Sequence, residues 1–122
     1  MNEKQREIQD KCIAFAVEID ALRKMLNKKH HEYNKADQID RSASSIGANY
    51  SEAVHSESEA DYIHKLGIAQ KETNETIYWL RLIYQCQYID DEQYSHLLSE
   101  AEELMRIITS IIIALKRKLQ NP

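Results

Sequence analysis

Two acid–histidine pairs have the residue types and spacing that could bind a metal ion. Glu52 and His55 form an E-x-x-H pair, and Asp61 and His64 form a D-x-x-H pair. Di-iron carboxylate bundles combine two such pairs with a glutamate from each of two further helices. Here both pairs flank one short turn, and in the first helical segment Glu18 lies beside the apolar stripe rather than on it. We therefore predict no metal site and no cofactor, with a carboxylate metal site at these pairs as an alternative.

The serine-rich stretch "RSASSIGANYSEA" (41–53) raises the question of nucleophilic catalysis. A catalytic serine needs a base within hydrogen-bond reach, and the sequence assigns no histidine to that role. The chain also lacks a glycine-rich nucleophile elbow and a phosphate-binding loop. We therefore predict that the protein is not an enzyme.

Four segments with helical periodicity must position these residues. The predicted N-cap residues of these segments are Asn2, Asn34, Ser56 and Asp90. Apolar positions then recur at helical spacing. In the first segment they are Ile8, Cys12, Phe15, Ile19, Leu22 and Leu26, and in the third they are Ile63, Leu66, Thr73, Ile77, Leu80 and Tyr84. The most regular stripe is that of the fourth segment, at Tyr94, Leu97, Ala101, Leu104, Ile108, Ile111 and Leu115. With 2 glycines and 1 proline, turns are rare and connections are short. The sequence predicts an all-α, antiparallel up-down-up-down four-helix bundle, as a single domain over residues 1–122.

Composition limits the classes of function. The formal net charge is -4, which disfavours non-specific coating of nucleic acid, because that binding depends on neutralising phosphates. No apolar run approaches the ~20 residues that a membrane span requires, and no leader-like segment is present. We expect a cytoplasmic protein with no membrane association.

A polar stripe runs beside the apolar seam of the second segment, and its residues are too small for an ordinary solvated face. Exposed helix faces usually carry Lys, Glu and Gln, which have higher helix propensity than Ser or Asn. Small residues instead suggest the close approach of another helix. We expect Arg41 to serve Glu52, and the acids of the third segment to accept from Asn49 or Arg41. The predicted structural polar network comprises Arg41, Ser42, Ser45, Asn49, Glu52, Glu72 and Glu75.

The fourth segment has more apolar surface than one bundle seam needs. At roughly 100° per residue, Ile107 and Ile113 fall well off the stripe centred on Ile108. Monomers seldom leave such surface in water, so these two residues are predicted oligomer contacts. Coverage by neighbouring helices of the same chain is an equally good interpretation of the sequence.

The motif "RSASSIGANYSEA", followed by "SEADYIHKLGIAQKETNETIYWL" (58–80), resembles the bacterial four-helix-bundle family encoded by intervening sequences in 23S rRNA genes. Relatives of that family include the accessory variability protein of diversity-generating retroelements. The resemblance rests on an R-x-x-x-S-I-x-x-N-x-x-E pattern and on residues of the next helix, matched here by Arg41, Ser45, Ile46, Asn49, Glu52, Asp61, Tyr62, Ile68, Ala69 and Glu75. The resemblance implies a homopentamer without an established enzyme activity.

The function predicted from the sequence is a non-enzymatic oligomeric scaffold or interaction protein. A nucleic-acid-binding accessory role is the alternative, although the retroelement relatives look strongly basic and this chain is net acidic. The residues that could contact nucleic acid lie at the ends of two helices: Arg23, Lys24, Lys28, Lys29, Lys116, Arg117 and Lys118. Cations at helix C-termini are also explained by the helix dipole.

Overall fold

The computed structural model describes residues 1–121, and these form four α-helices and no strand. The helices are α1 (Glu3–His30), α2 (Tyr33–Val54), α3 (Glu59–Gln85) and α4 (Asp91–Gln120). Each helix packs on the next along the chain, and the connections are short, so neighbours are antiparallel. The all-α, up-down-up-down four-helix bundle predicted from the sequence is confirmed. Closure of the bundle is uneven, since α1 and α4 make the sparsest contact of the packed pairs.

Two of the four predicted helix starts are confirmed by their cap hydrogen bonds. At α1 the backbone N–H of Gln5 donates to Asn2 Oδ1 at 2.8 Å, and the N–H of Asn2 donates to Gln5 Oε1 at 3.0 Å. This reciprocal pair satisfies two otherwise unbonded N–H groups. At α4 the N–H of Gln93 donates to Asp90 Oδ1 at 2.8 Å.

The predicted cap of α2 at Asn34 is wrong by two residues, since Glu32 is the N-cap. His31 adopts a left-handed conformation with φ 52°, and the N–H of Glu32 donates back to the carbonyl of Leu26 at 3.1 Å. The turn that ends α1 takes only two residues, His31 and Glu32, so α2 begins at Tyr33. Glu32 is its N-cap residue and makes no side-chain cap hydrogen bond.

The predicted cap of α3 at Ser56 is also wrong. Ser58 caps the helix instead, accepting a hydrogen bond from the N–H of Asp61 at 3.1 Å. The Ser56 hydroxyl donates to the carbonyl of Ala53 at 2.7 Å and so helps to end α2. Because two overlapping Ser-x-x-acid patterns lie side by side, the sequence did not distinguish the serine that ends one helix from the one that begins the next.

The predicted apolar stripes form the core, but in α3 and α4 some of the buried positions differ from the predicted ones. All six predicted residues of α1 are buried. In α4 the stripe ends on Ile112, which is buried, whereas Ile111 is only partly buried. In α3, Ile63, Ile77 and Tyr84 lie at the margin of the core. The positions buried in α3 are Leu66, Ala69, Thr73, Thr76, Leu80 and Ile83. None of the helices formed by residues 1–121 contains an apolar stretch of the length that a membrane span requires.

Candidate functional site

Gly47 brings α2 into near contact with α1. A Cβ atom added at this position would lie 2.9 Å from the Cβ of Cys12 and 3.3 Å from Nε2 of Gln9. The amide of Gln9 uses this closeness to donate a hydrogen bond to the carbonyl of Gly47, at 3.3 Å. Burial raises the pKa of the Cys12 thiol to about 12, so Cys12 packs as a neutral side chain.

Ser42 forms the corresponding close contact of α2 with α3. It is fully buried, as is Thr76 on the facing helix, and the Thr76 hydroxyl lies 2.8 Å from Ser42 Oγ. Ser42 in turn donates to the carbonyl of Ile39 at 3.2 Å. Sequence reasoning missed Thr76, because it placed the neighbouring Thr73 and Ile77 on the apolar stripe. Small hydroxyl side chains therefore let the two helices approach while their polar groups stay paired.

An ion cluster lies on the outer edge of the α2–α3 contact. Nη2 of Arg41 lies 3.1 Å and 3.2 Å from the two carboxylate oxygens of Glu75. Nη1 of Arg41 is 3.9 Å from Oε2 of Glu72, a buried atom without a hydrogen-bond partner. Burial, with the nearby Glu75 carboxylate adding to it, raises the pKa of Glu72 above its ordinary value. The structure thus brings together Arg41, Glu72 and Glu75.

Two polar residues of α2, Ser45 and Asn49, do not bond across the contact. Asn49 Nδ2 donates to the carbonyl of Ser45, and Ser45 Oγ donates to the carbonyl of Arg41, each at 2.8 Å. The expected pairing of Arg41 with Glu52 is wrong, since eleven residues of helix separate them by about 16 Å. Glu52 instead pairs with Lys65 of α3, at 3.3 Å.

The acid–histidine pairs singled out as metal ligands are not brought together. Glu52 pairs with Lys65, and Nδ1 of His55 lies 2.9 Å from the carbonyl of Ser51. His64 is exposed, and Asp61 lies in the first turn of α3. Across residues 1–121, the group whose potential ligand atoms lie within 4.8 Å of one another is a different one, formed by Glu18, His96 and Glu100. Sequence reasoning missed it.

The predicted oligomer contacts lie along α4 in different settings. Ile113 is 46% exposed. Ile107 is half-buried and lines a cleft of about 450 Å³ between the start of α1 and the second half of α4, with Ile8, Tyr50 and Ile111 among the other lining residues. Both lie in the half of α4 that runs beside the start of α1.

A second exposed apolar surface, which sequence reasoning missed, lies on α1. Ile13 is 53% exposed and Val17 is 64% exposed. Ala14 and Ala21 are exposed beside them. The residues follow helical spacing, so they form one outward stripe, which we call the α1 apolar stripe. The signal was present in the sequence as β-branched residues four apart, off the core stripe.

The basic residues predicted to contact nucleic acid form two groups at opposite ends of the bundle, because α1 and α4 are antiparallel. At one end, Arg23 lies 2.9 Å from Asp20 and 3.6 Å from Asp40, and Lys24 lies 3.1 Å from Asp20. These acids neutralise much of the local positive charge. Lys28 and Lys29 are exposed at the same end.

The other basic group ends α4. Lys118 pairs with Glu59 at the start of α3, and Lys116 and Arg117 are exposed. The length of α4 separates this group from the one at the end of α1. On a single protomer the basic residues therefore do not merge into one continuous patch.

Comparison with known proteins identifies the family and similar solved structures. The family described as 23S rRNA-intervening sequence protein matches residues 4–110. A crystal structure of a protein with unknown function from the S23 ribosomal protein family of Bacteroides thetaiotaomicron is similar, with 45% sequence identity and a TM-score of 0.84. The similarity covers 86% of this chain and 97% of that chain. No curated protein matches the sequence.

Proposed function

The chain belongs to the 23S rRNA-intervening sequence protein family, and from this premise we propose that it is a non-enzymatic cytoplasmic scaffold that works as an oligomer. The observation that carries the proposal is the exposed apolar surface of the protomer. Val17 and Ile13 on α1, and Ile113 on α4, hold large apolar side chains in water. Burying such surface is favourable by about 25 cal/mol per Å².

The placement of this surface favours a ring of copies. The α1 apolar stripe and the exposed part of α4 lie on different helices and at different heights along the bundle. Two distinct surfaces suit a head-to-tail interface, which generates a ring when the rotation closes. A two-fold dimer needs only one self-complementary surface. The homopentamer implied by the sequence resemblance is a ring of this kind, and we propose it as the assembly.

The α2 segment supports this role by making a rigid protomer. Gly47 and Ser42 hold α2 close to both neighbouring helices, through the 2.9 Å approach at Gly47 and the buried hydroxyl pair. Closely packed interiors deform little, so the outer surfaces keep a fixed relation to one another. A closed ring requires that relation, because an error in the angle between two surfaces repeats at every interface.

The test is the mass of the protein in solution, by light scattering coupled to size exclusion. We expect the wild-type chain to give the mass of a pentamer. Val17→Lys and Ile113→Lys place a charge on each proposed contact, so each variant should dissociate into smaller species with unchanged helical content. Asn34→Lys adds the same charge at an exposed position outside both surfaces and should keep the wild-type mass. A monomeric wild-type chain would contradict the proposal.

The alternative role is as a nucleic-acid accessory protein, suggested by the retroelement resemblance. Its support is the exposed residues Lys28, Lys29, Lys116 and Arg117, which a ring would repeat around its two ends. A labelled RNA or DNA distinguishes the two roles, because phosphate contacts make affinity fall steeply with salt. Binding with a steep salt slope that is lost in Lys28→Ala/Lys29→Ala would favour the accessory role.

A further inference from the structure

Glu18, His96 and Glu100 join the two helices that pack most loosely. Glu18 lies in the middle of α1, and His96 and Glu100 lie one turn apart near the start of α4. Nε2 of His96 is 3.2 Å from Oε1 of Glu18 and 3.0 Å from Oε1 of Glu100. We propose that these three side chains form a binding site for a divalent transition-metal ion, zinc in the first place, that ties α1 to α4.

The distances lie at the long end of the hydrogen-bond range and are also close to the spacing of ligands around a metal ion. Zinc binds imidazole nitrogen and carboxylate oxygen at about 2.0–2.2 Å, so neighbouring ligands in a tetrahedron lie about 3.3–3.5 Å apart. The two nitrogen–oxygen distances in the structure are 3.2 Å and 3.0 Å, and a small outward movement would admit the ion. Nε2 carries at most one hydrogen and cannot donate a full hydrogen bond to both carboxylates. A metal ion binds all three groups at once.

Unsatisfied groups at the cluster also indicate a cation. The second carboxylate oxygen of Glu18 is buried and has no hydrogen-bond partner. With a neutral imidazole the cluster holds two negative charges, which one divalent ion would neutralise.

The site lies at the surface, so one coordination position of the ion would be open to water. The side chain of His96 is 58% exposed, so water can complete the coordination. Three protein ligands and one water are typical of zinc sites with an open position. Because the ligands come from both helices, binding would stabilise the folded chain and add a link where the bundle closes least tightly.

The test is equilibrium dialysis against zinc chloride, using untagged, chelator-treated protein at mildly alkaline pH. Cys86 is an exposed free thiol and a competing ligand, so all variants carry Cys86→Ser. We expect one zinc ion per chain and a rise in thermal stability on zinc addition. Glu18→Gln, His96→Ala and Glu100→Gln should each weaken binding by at least about 10-fold, since even changes behind the direct ligands have effects of that size.

Two controls keep the result interpretable. His55→Ala removes an exposed histidine beside the carboxylate-rich turn between α2 and α3, and should retain full zinc binding. Circular dichroism of each ligand variant without metal should show the wild-type helical content, because all three changes lie at the surface of the bundle. The absence of stoichiometric binding at micromolar zinc would overturn the proposal, as would a His96→Ala variant that binds normally. The proposal does not depend on the assembly state, which is measured separately.

Discussion

Gly47→Ala tests the close approach of α1 and α2, and Gly67→Ala is its matched control. Both glycines lie inside α-helices, Gly47 in α2 and Gly67 in α3. An added Cβ at position 47 would meet Cys12 Cβ at 2.9 Å, whereas an added Cβ at position 67 would have no neighbour within 4 Å. The same methyl group therefore enters a closed contact in one variant and open space in the other.

The expected changes in the free energy of unfolding follow from two terms. Replacing glycine by alanine inside a helix stabilises by about 1 kcal/mol, and this term is common to both variants. Forcing a methyl group into a packed contact costs about 1–3 kcal/mol, and this term applies only at Gly47. We expect Gly67→Ala to stabilise the protein by about 1 kcal/mol. Gly47→Ala should be about 1–3 kcal/mol less stable than Gly67→Ala.

The assay is thermal and urea unfolding followed by far-UV circular dichroism. Both variants and the wild type are measured at equal protein concentration, because assembly would make the midpoint concentration-dependent. For a domain of this size the difference corresponds to about 4–12 °C in Tm between the two variants. Equal stabilisation by both substitutions would refute the close approach of α1 and α2 at Gly47.

Three further predictions concern single side chains. Thr76→Val and Ser42→Ala should each destabilise the chain by about 1 kcal/mol, because each removes the buried hydroxyl pair while the remaining hydroxyl keeps a carbonyl acceptor, Ile39 for Ser42 and Glu72 for Thr76; urea unfolding of both variants measures the losses, and no loss in either variant would contradict this hydrogen-bond assignment. Gln87→Gly should stabilise by about 1 kcal/mol, because Gln87 has φ 64° and glycine adopts that conformation without steric cost; the reasoning fails if Tm does not rise. Glu72→Gln should stabilise the protein at neutral pH, because burial raises the pKa of Glu72 in the folded state. The protonated Glu72 carboxyl is fully compatible with the fold below its ordinary pKa, and this contribution to stability is lost as pH rises through the pKa of the folded state. Unfolding measured across pH should show that the stability advantage of the Glu72→Gln variant disappears below pH about 4, and an advantage that persists there would count against burial as the cause.

Much of the fold could be predicted because helical periodicity is a local property. The α1 stripe needed only spacing and apolar character, and its six residues are the six that are buried. The α3 stripe was harder, because Thr76 is buried through a hydrogen bond to Ser42 on another helix. Periodicity identifies a core-facing side of a helix, but polar residues join it when a neighbouring helix supplies a partner.

The contacts between helices depend on their mutual rotation, which periodicity does not determine. Glu18 lies next to Ile19 at the edge of the α1 stripe, and only the orientation of α4 brings His96 and Glu100 to it. The E-x-x-H spacing of Glu52 and His55 was visible in the sequence, yet Glu52 is occupied by Lys65 from the next helix. The spacing of residues along one helix was therefore a poorer indicator of metal ligands than the proximity of side chains from two different helices.

In the proposed assembly, the exposed apolar surfaces of α1 and α4 join copies of this chain into a closed ring. The most direct measurement is the solution mass of the wild-type protein by light scattering, over a range of concentrations. We predict a single species with the mass of five chains, which Val17→Lys converts to smaller species. A wild-type protein that remains one chain at every concentration would contradict the claim.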